Sequence, residues 1–117
     1  MISAGPATRV FLALGATDMR KGYDGLYGLV ARQLQEDPLS GHLFVFANAA
    51  RTRLKVLYWD GTGLWVCGKR LEKGRFSWPS NGEHGGKTQL SGAEFAMLLG
   101  GIDLQRGRRK AWLRRNE

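Results

Sequence analysis

The stretch Arg51-Thr-Arg-Leu-Lys-Val-Leu-Tyr-Trp-Asp-Gly-Thr-Gly-Leu-Trp-Val-Cys-Gly-Lys-Arg-Leu-Glu-Lys-Gly-Arg-Phe-Ser-Trp-Pro79 decides the fold. Two strand-like runs flank Asp60-Gly61-Thr62-Gly63, a short glycine-bearing turn of the kind that closes β-hairpins. A two-residue turn at Gly61-Thr62 sets Asp60 opposite Gly63, Tyr58 opposite Trp65 and Val56 opposite Cys67. One face then carries Leu54, Val56, Tyr58, Trp65, Cys67 and Leu71, interrupted by Lys69. The other face puts Arg53 opposite Arg70, with Lys55 one pleat along. Like charges facing each other across a strand pair cost roughly 0.2–1 kcal/mol, so an anion is the expected occupant between them. The bland alternative is a solvated edge where long side chains splay apart.

Working outward, Leu43-Phe-Val-Phe-Ala47 reads as the preceding strand. A short, even-numbered link places Leu43 and Val45 on the face of Leu54 and Val56, and Phe44 and Phe46 beside Arg53 and Lys55. Residues 43–71 thus form a three-stranded antiparallel meander. Tyr23, Leu26, Tyr27, Val30 and Leu34 recur at helical spacing over 22–36. Asp24 suits the first turn, and Asp37-Pro38 is expected to end the helix. Gly25 and Gly28 weaken it and are expected to let it lie close to the sheet. This helix is the expected cover of the Leu54/Val56 face. Val10-Phe-Leu-Ala-Leu14 suits a buried strand.

Ser91-Gly-Ala-Glu94 matches a capping box and opens a short helix presenting Phe95, Leu98 and Leu99, closed by Gly100-Gly101. Phe44, Phe46 and Trp59 are expected either to stack on bases of a single strand or to form a second core under helix 91–100. Residues 80–87 are glycine-rich and expected to be a loop. The segment from Arg106 to Glu117 has six Lys/Arg and one acid. The fold class is α+β: an antiparallel meander, an amphipathic helix over it, a short second helix and a basic C-terminal tail. The domain expectation is one unit over 1–104, with 105–117 as tail.

With 117 residues, 43% hydrophobic residues and four Trp, the chain is expected to fold as one domain without staples. A formal charge of +8 and a pI near 10.3 point to a polyanionic partner, of which nucleic acid is the commonest. One cysteine, Cys67, excludes an internal disulfide, and with two scattered His it cannot build a zinc site. Cys67 reads as buried filler. No run approaches a membrane span, and residues 1–14 lack a secretory leader, so a cytoplasmic protein is expected.

Catalysis would need clustered carboxylates or a His-based constellation. Asp18, Asp24, Asp37, Asp60, Glu72, Glu83, Glu94 and Asp103 are scattered, and His42 and His84 have no telling neighbours. Gly61-Thr-Gly63 lacks the lysine and helix of a phosphate loop. The expectation is no enzyme, no cofactor and no metal. Phosphate contacts are expected from Arg51, Arg53, Lys55, Lys69, Arg70, Lys73 and Arg75, with Arg108, Arg109 and Lys110 of the tail as a second set. Arg20-Lys21 is a third, lesser candidate.

Several blocks together resemble one family: Ala16-Thr-Asp-Met-Arg-Lys-Gly22, Asp24-Gly-Leu26, Asp37-Pro-Leu-Ser-Gly41, Leu43-Phe-Val-Phe46, Arg53-Leu-Lys-Val-Leu-Tyr-Trp-Asp-Gly61, Lys69-Arg-Leu-Glu-Lys-Gly-Arg-Phe76 and Trp78-Pro79. The family is the accessory protein of the second open reading frame of insertion-sequence family sixty-six, labelled TnpB and unrelated to the RNA-guided nuclease of that label. The resemblance spans about Val10 to Leu104. It implies a bacterial mobile-element protein that works beside a separate transposase, with no established catalysis. The chain departs from the pattern at Ala49-Ala50, where Arg or Lys is expected. Two functions follow as expectations. One is DNA binding through the basic hairpin face, directly or in a transposase–DNA complex. The other is transposase binding without DNA contact, anchored by Trp59, Phe76 and Trp78. The sequence leaves the oligomeric state open.

Overall fold

The computed structural model describes residues 7–79 and 86–100, and the backbone alone of residues 102–103 and 108–109. Its centre is a five-stranded mixed sheet. Strands β1 (Val10–Ala16), β2 (Leu43–Ala47), β3 (Arg53–Trp59), β4 (Leu64–Arg70) and β5 (Lys87–Leu90) lie in the order β4-β3-β2-β1-β5. The meander is present as β2-β3-β4, in the register that the turn dictates: Arg53 faces Arg70, Val56 faces Cys67 and Tyr58 faces Trp65. Val45 pairs with Val56. Strand β1 runs parallel to β2, and β5 closes the far edge antiparallel to β1.

The parallel β1–β2 pair requires a crossover, and the helix between them supplies it. That helix is α1 (Tyr23–Gly28), widened over Leu29–Gln33 into π-helical turns. It ends earlier than Asp37-Pro38. The Leu34 amide still donates to the Leu29 carbonyl at 2.9 Å, but Gln35 turns to a left-handed φ of 55°. Lys87 Nζ caps this end, donating to Leu34 O and Glu36 Oε2, each at 2.6 Å. The nearest neighbours of the two helix glycines are the Lys21 and Arg32 side chains rather than sheet residues. A Cβ at Gly25 would meet the Lys21 side chain at 3.0 Å, and one at Gly28 would meet the Arg32 guanidinium.

Both sheet faces are buried, and the helices cover the faces opposite to those expected. Leu26, Val30 and Leu34 of the crossover helix pack on Phe11, Ala13, Phe44, Phe46 and Leu57. Helix α2 (Gly92–Leu99) places Phe95 and Leu98 on Val10, Leu12, Leu43, Val45, Leu54 and Val56, together with Phe76. The capping box forms as read: Ser91 Oγ accepts from the Glu94 amide at 3.0 Å, and Glu94 Oε1 accepts from the Ser91 amide at 2.9 Å. Beyond it, Ile102–Asp103 (β6) pairs antiparallel with Arg108–Arg109 (β7).

A candidate nucleic-acid interface at one end of the sheet

The antiparallel order brings the start of β3, the end of β4 and the ends of β1 and β2 to one end of the sheet. This end carries Arg20, Lys21, Arg53, Lys55, Arg70, Lys73 and Arg75, against Asp18 and Glu72. Asp18 is occupied: Arg20 holds it through its backbone N–H at 2.9 Å and its guanidinium at 2.7 Å. Those bonds keep the Asp18 carboxyl well below the usual carboxylate range, the side-chain bond from Arg20 contributing most.

Arg53 and Arg70 face each other on the side of the crossover helix. The Leu71 amide donates to Thr52 O at 2.9 Å, so the neighbouring Arg53–Arg70 rung is a non-hydrogen-bonded one, where side chains lie closest. Both arginines are exposed, and Arg70 meets Glu72 only at 3.8 Å in solvent. The side chains of Arg53, Lys73 and Arg75 have no hydrogen-bond or ion-pair partner among the described residues. Beside the rung lies a groove of about 410 Å³, lined by Met19, Arg53, Lys55, Gly68, Arg70 and the acidic Glu72 among others. Gly68 opposite Lys55 leaves the floor of that groove low. Lys55 Nζ donates to Lys21 O at 2.9 Å, which joins the loop before α1 to the groove wall.

Four of the expected contacts take other roles. Arg51 turns inward. It sits at a left-handed φ of 60° in the β2–β3 loop, donates from its guanidinium to Leu14 O at 3.0 Å, and stacks over Trp78 with 5.0 Å to the ring centroid. Burial lowers its pKa from the ordinary arginine value. Asn48 shapes this loop, its Oδ1 accepting from the Thr52 and Arg53 amides at 2.9 and 3.1 Å. Lys69 points to the opposite face and caps α2, donating to Leu99 O at 2.6 Å. Phe44 and Phe46 are 0% and 1% exposed under the crossover helix, so neither can stack on a base. They do form a second core, but not under helix 91–100.

The expected protein-binding aromatics are also dispersed. Phe76 is 3% exposed and belongs to the α2-side core. Trp78 is half-buried, its indole N–H donating to Ala13 O at 3.1 Å. Trp59 lies at the other end of the sheet, next to the hairpin turn. The side chains of Arg108 and Arg109, and all of Lys110 and His84, lie outside the described residues. Met19 and Gly68 also line the groove, though neither is among the expected contacts. For Gly68 the signal was present, since the hairpin register alone places it opposite Lys55.

Among the described residues no group of three His, Cys, Asp or Glu side chains is placed to hold a metal ion. His42 serves the fold, its Nδ1 accepting from the Arg9 amide at 2.9 Å. No helix among the described residues is long and apolar enough to cross a membrane.

Comparison with known proteins adds the family. The model of the IS66 Orf2 like protein family matches residues 8–109. The chain belongs to the IS66 Orf2-like family. It is 44% identical over 103 residues to the uncharacterized protein y4hO of Sinorhizobium fredii, covering 88% of each chain. It is 37% identical over 110 residues to the uncharacterized protein y4jC of the same organism, covering 94% of this chain and 92% of that one. No solved structure matches the chain. Membership suggests an accessory role in insertion-sequence transposition, in a family not known for catalysis.

Proposed function

We propose that this IS66 Orf2-like protein is a non-catalytic accessory protein of transposition that holds DNA by its phosphates at the basic end of the sheet. The observation that carries this reading is the set Arg53, Lys73 and Arg75, unpartnered among the described residues, with Arg70 opposite Arg53 beside the groove. An arginine pair that costs stability and has only the exposed, long contact to Glu72 as counter-charge is the arrangement a phosphate would relieve. Arg53 and Arg70 are the central contacts. Lys55, Lys73 and Arg75 extend the surface, and Arg108, Arg109 and Lys110 are a candidate second set on the chain beyond it.

The groove wall has no exposed aromatic among its lining residues. Base stacking is therefore not the mode this surface favours, and backbone contact with little sequence reading is. The DNA would be the element's ends or its target, and the transposase of the same element is the proposed protein partner.

Fluorescence anisotropy with a labelled duplex tests the proposal. Phosphate contacts make affinity fall with salt at a slope of about 0.9 per contact on a log–log plot. Between about 50 and 200 mM salt, a slope of roughly 3 to 4 is expected, with single-stranded DNA bound no more tightly than duplex. A duplex that fails to bind at about 50 mM salt would sink the direct DNA reading.

A further inference from the structure

Strand β4 is an edge of the main sheet, and among the described residues its free edge is neither short nor blocked. It is seven residues long, Leu64–Arg70. The bonds Asp60 N–H to Gly63 O and Leu71 N–H to Thr52 O fix which residues pair with β3. By the antiparallel alternation, Trp65, Cys67 and Lys69 direct their backbone groups to β3, while Leu64, Val66, Gly68 and Arg70 direct theirs outward. Such an edge is a template for another strand unless Pro, a bulge or inward charges blunt it. This edge has only Lys69 and Arg70, both at one end.

Two further features sit on this edge. Trp65 is 53% exposed, although its indole N–H is bound to Asp60 Oδ2 at 2.7 Å. On the same face, between the hairpin and α2, lies an apolar groove of about 540 Å³ lined by Val56, Cys67, Lys69, Phe95 and Leu99 among others. A large exposed indole and an apolar groove on one strand are complementary to each other.

We propose that the occupant of this edge is a second copy of the chain, paired β4 to β4 antiparallel about a two-fold axis at Cys67, giving a continuous ten-stranded sheet. This register joins the outward groups of Val66 to those of the partner's Gly68, and the reverse. It sets Trp65 across from Lys69 of the other copy, at the mouth of that copy's apolar groove. The side chain of Trp65 leans toward its own hairpin turn, which in the two-fold mate is the Lys69 end. The charges are complementary in the same register: each Lys69 faces an indole and each Arg70 faces Leu64, so no cation faces a cation. A cation over an indole is attractive. The same axis puts the two Cys67 residues opposite each other in a non-hydrogen-bonded rung. Their Cα atoms would lie about 4.5 Å apart, within the span of a disulfide. Cys67 thus reports the register. The two-fold also turns the two basic ends in opposite directions.

The test is sedimentation velocity of the full chain in reductant over about two decades of micromolar concentration, since self-association must follow mass action. A shift toward twice the 13.0 kDa monomer mass is expected. Gly68→Pro removes an outward N–H without removing a bond to β3, and Trp65→Lys sets lysine against Lys69. Each should weaken association by roughly tenfold or more, with far-ultraviolet circular dichroism unchanged. After diamide treatment, non-reducing electrophoresis should show a covalent dimer of the parent chain that Cys67→Ser abolishes and Gly68→Pro reduces. A monomer at every concentration overturns the proposal. So does a dimer that both folded variants leave intact, or one in which Cys67 does not cross-link.

Discussion

The two ends of the β3–β4 hairpin treat charge in opposite ways. At the turn, one carboxylate is fully engaged: Asp60 accepts from the Thr62 amide and hydroxyl, the Gly63 amide and the Trp65 indole, at 2.7 to 2.9 Å. Those bonds, the indole's foremost, hold it well below the usual carboxylate range. At the other end, Arg53 faces Arg70, and Glu72 reaches Arg70 only at 3.8 Å in solvent. The turn needs its charge to fold. The basic end folds in spite of its charges.

Changes at the two ends should therefore fall on different measurements. Reversing both arginines, Arg53→Glu with Arg70→Glu, should lower duplex affinity by about a hundredfold or more at about 50 mM salt. Thermal stability should not rise, because two carboxylates facing each other replace two facing guanidiniums and the cross-strand repulsion remains. Asp60→Ala should do the reverse, lowering the melting temperature while leaving duplex affinity within about twofold, a change too small to register against roughly 1.4 kcal/mol per decade.

Smaller effects sharpen the same contrast. Ala49 and Ala50 are exposed at the tip of the β2–β3 loop, at the basic end. Ala49→Arg with Ala50→Arg should raise affinity several-fold and steepen the salt slope by about 1 to 2. Acid should act at the turn through Asp60. The folded Asp60 pKa lies below its unfolded value of about 3.9, so its stabilisation is full above that pH and is lost as pH falls toward the folded pKa. Tryptophan fluorescence should follow this loss in the parent chain, with a diminished amplitude in Asp60→Ala.

The hairpin was legible because its turn and its two-residue period fix every pair from Asp60–Gly63 to Arg53–Arg70. The side taken by each helix was not. Leu43-Phe-Val-Phe-Ala47 is buried on both faces, and a continuous apolar run does not say which helix meets which face. Strand β5 escaped notice because Lys-Thr-Gln-Leu at an edge carries only Leu90 into the core. Arg51 departs from its expected role for a different reason. Its inward turn depends on a left-handed φ at a non-glycine residue and on Trp78, 27 positions away, and neither leaves a local signal. Arg53 and Arg70 were legible as a pair because register alone sets them together. The groove beside them needed Met19, which the crossover brings in from β1's far side of the sequence.

The central claim is that DNA meets the basic end and not the hairpin turn. The most direct measurement is the amide ¹H–¹⁵N spectrum of the chain titrated with a short duplex. The account predicts the largest shifts at Arg53, Lys55, Gly68, Arg70 and Arg75, with Gly61, Thr62 and Gly63 unmoved. Shifts centred on the Asp60–Trp65 turn, or none at low salt, would contradict it.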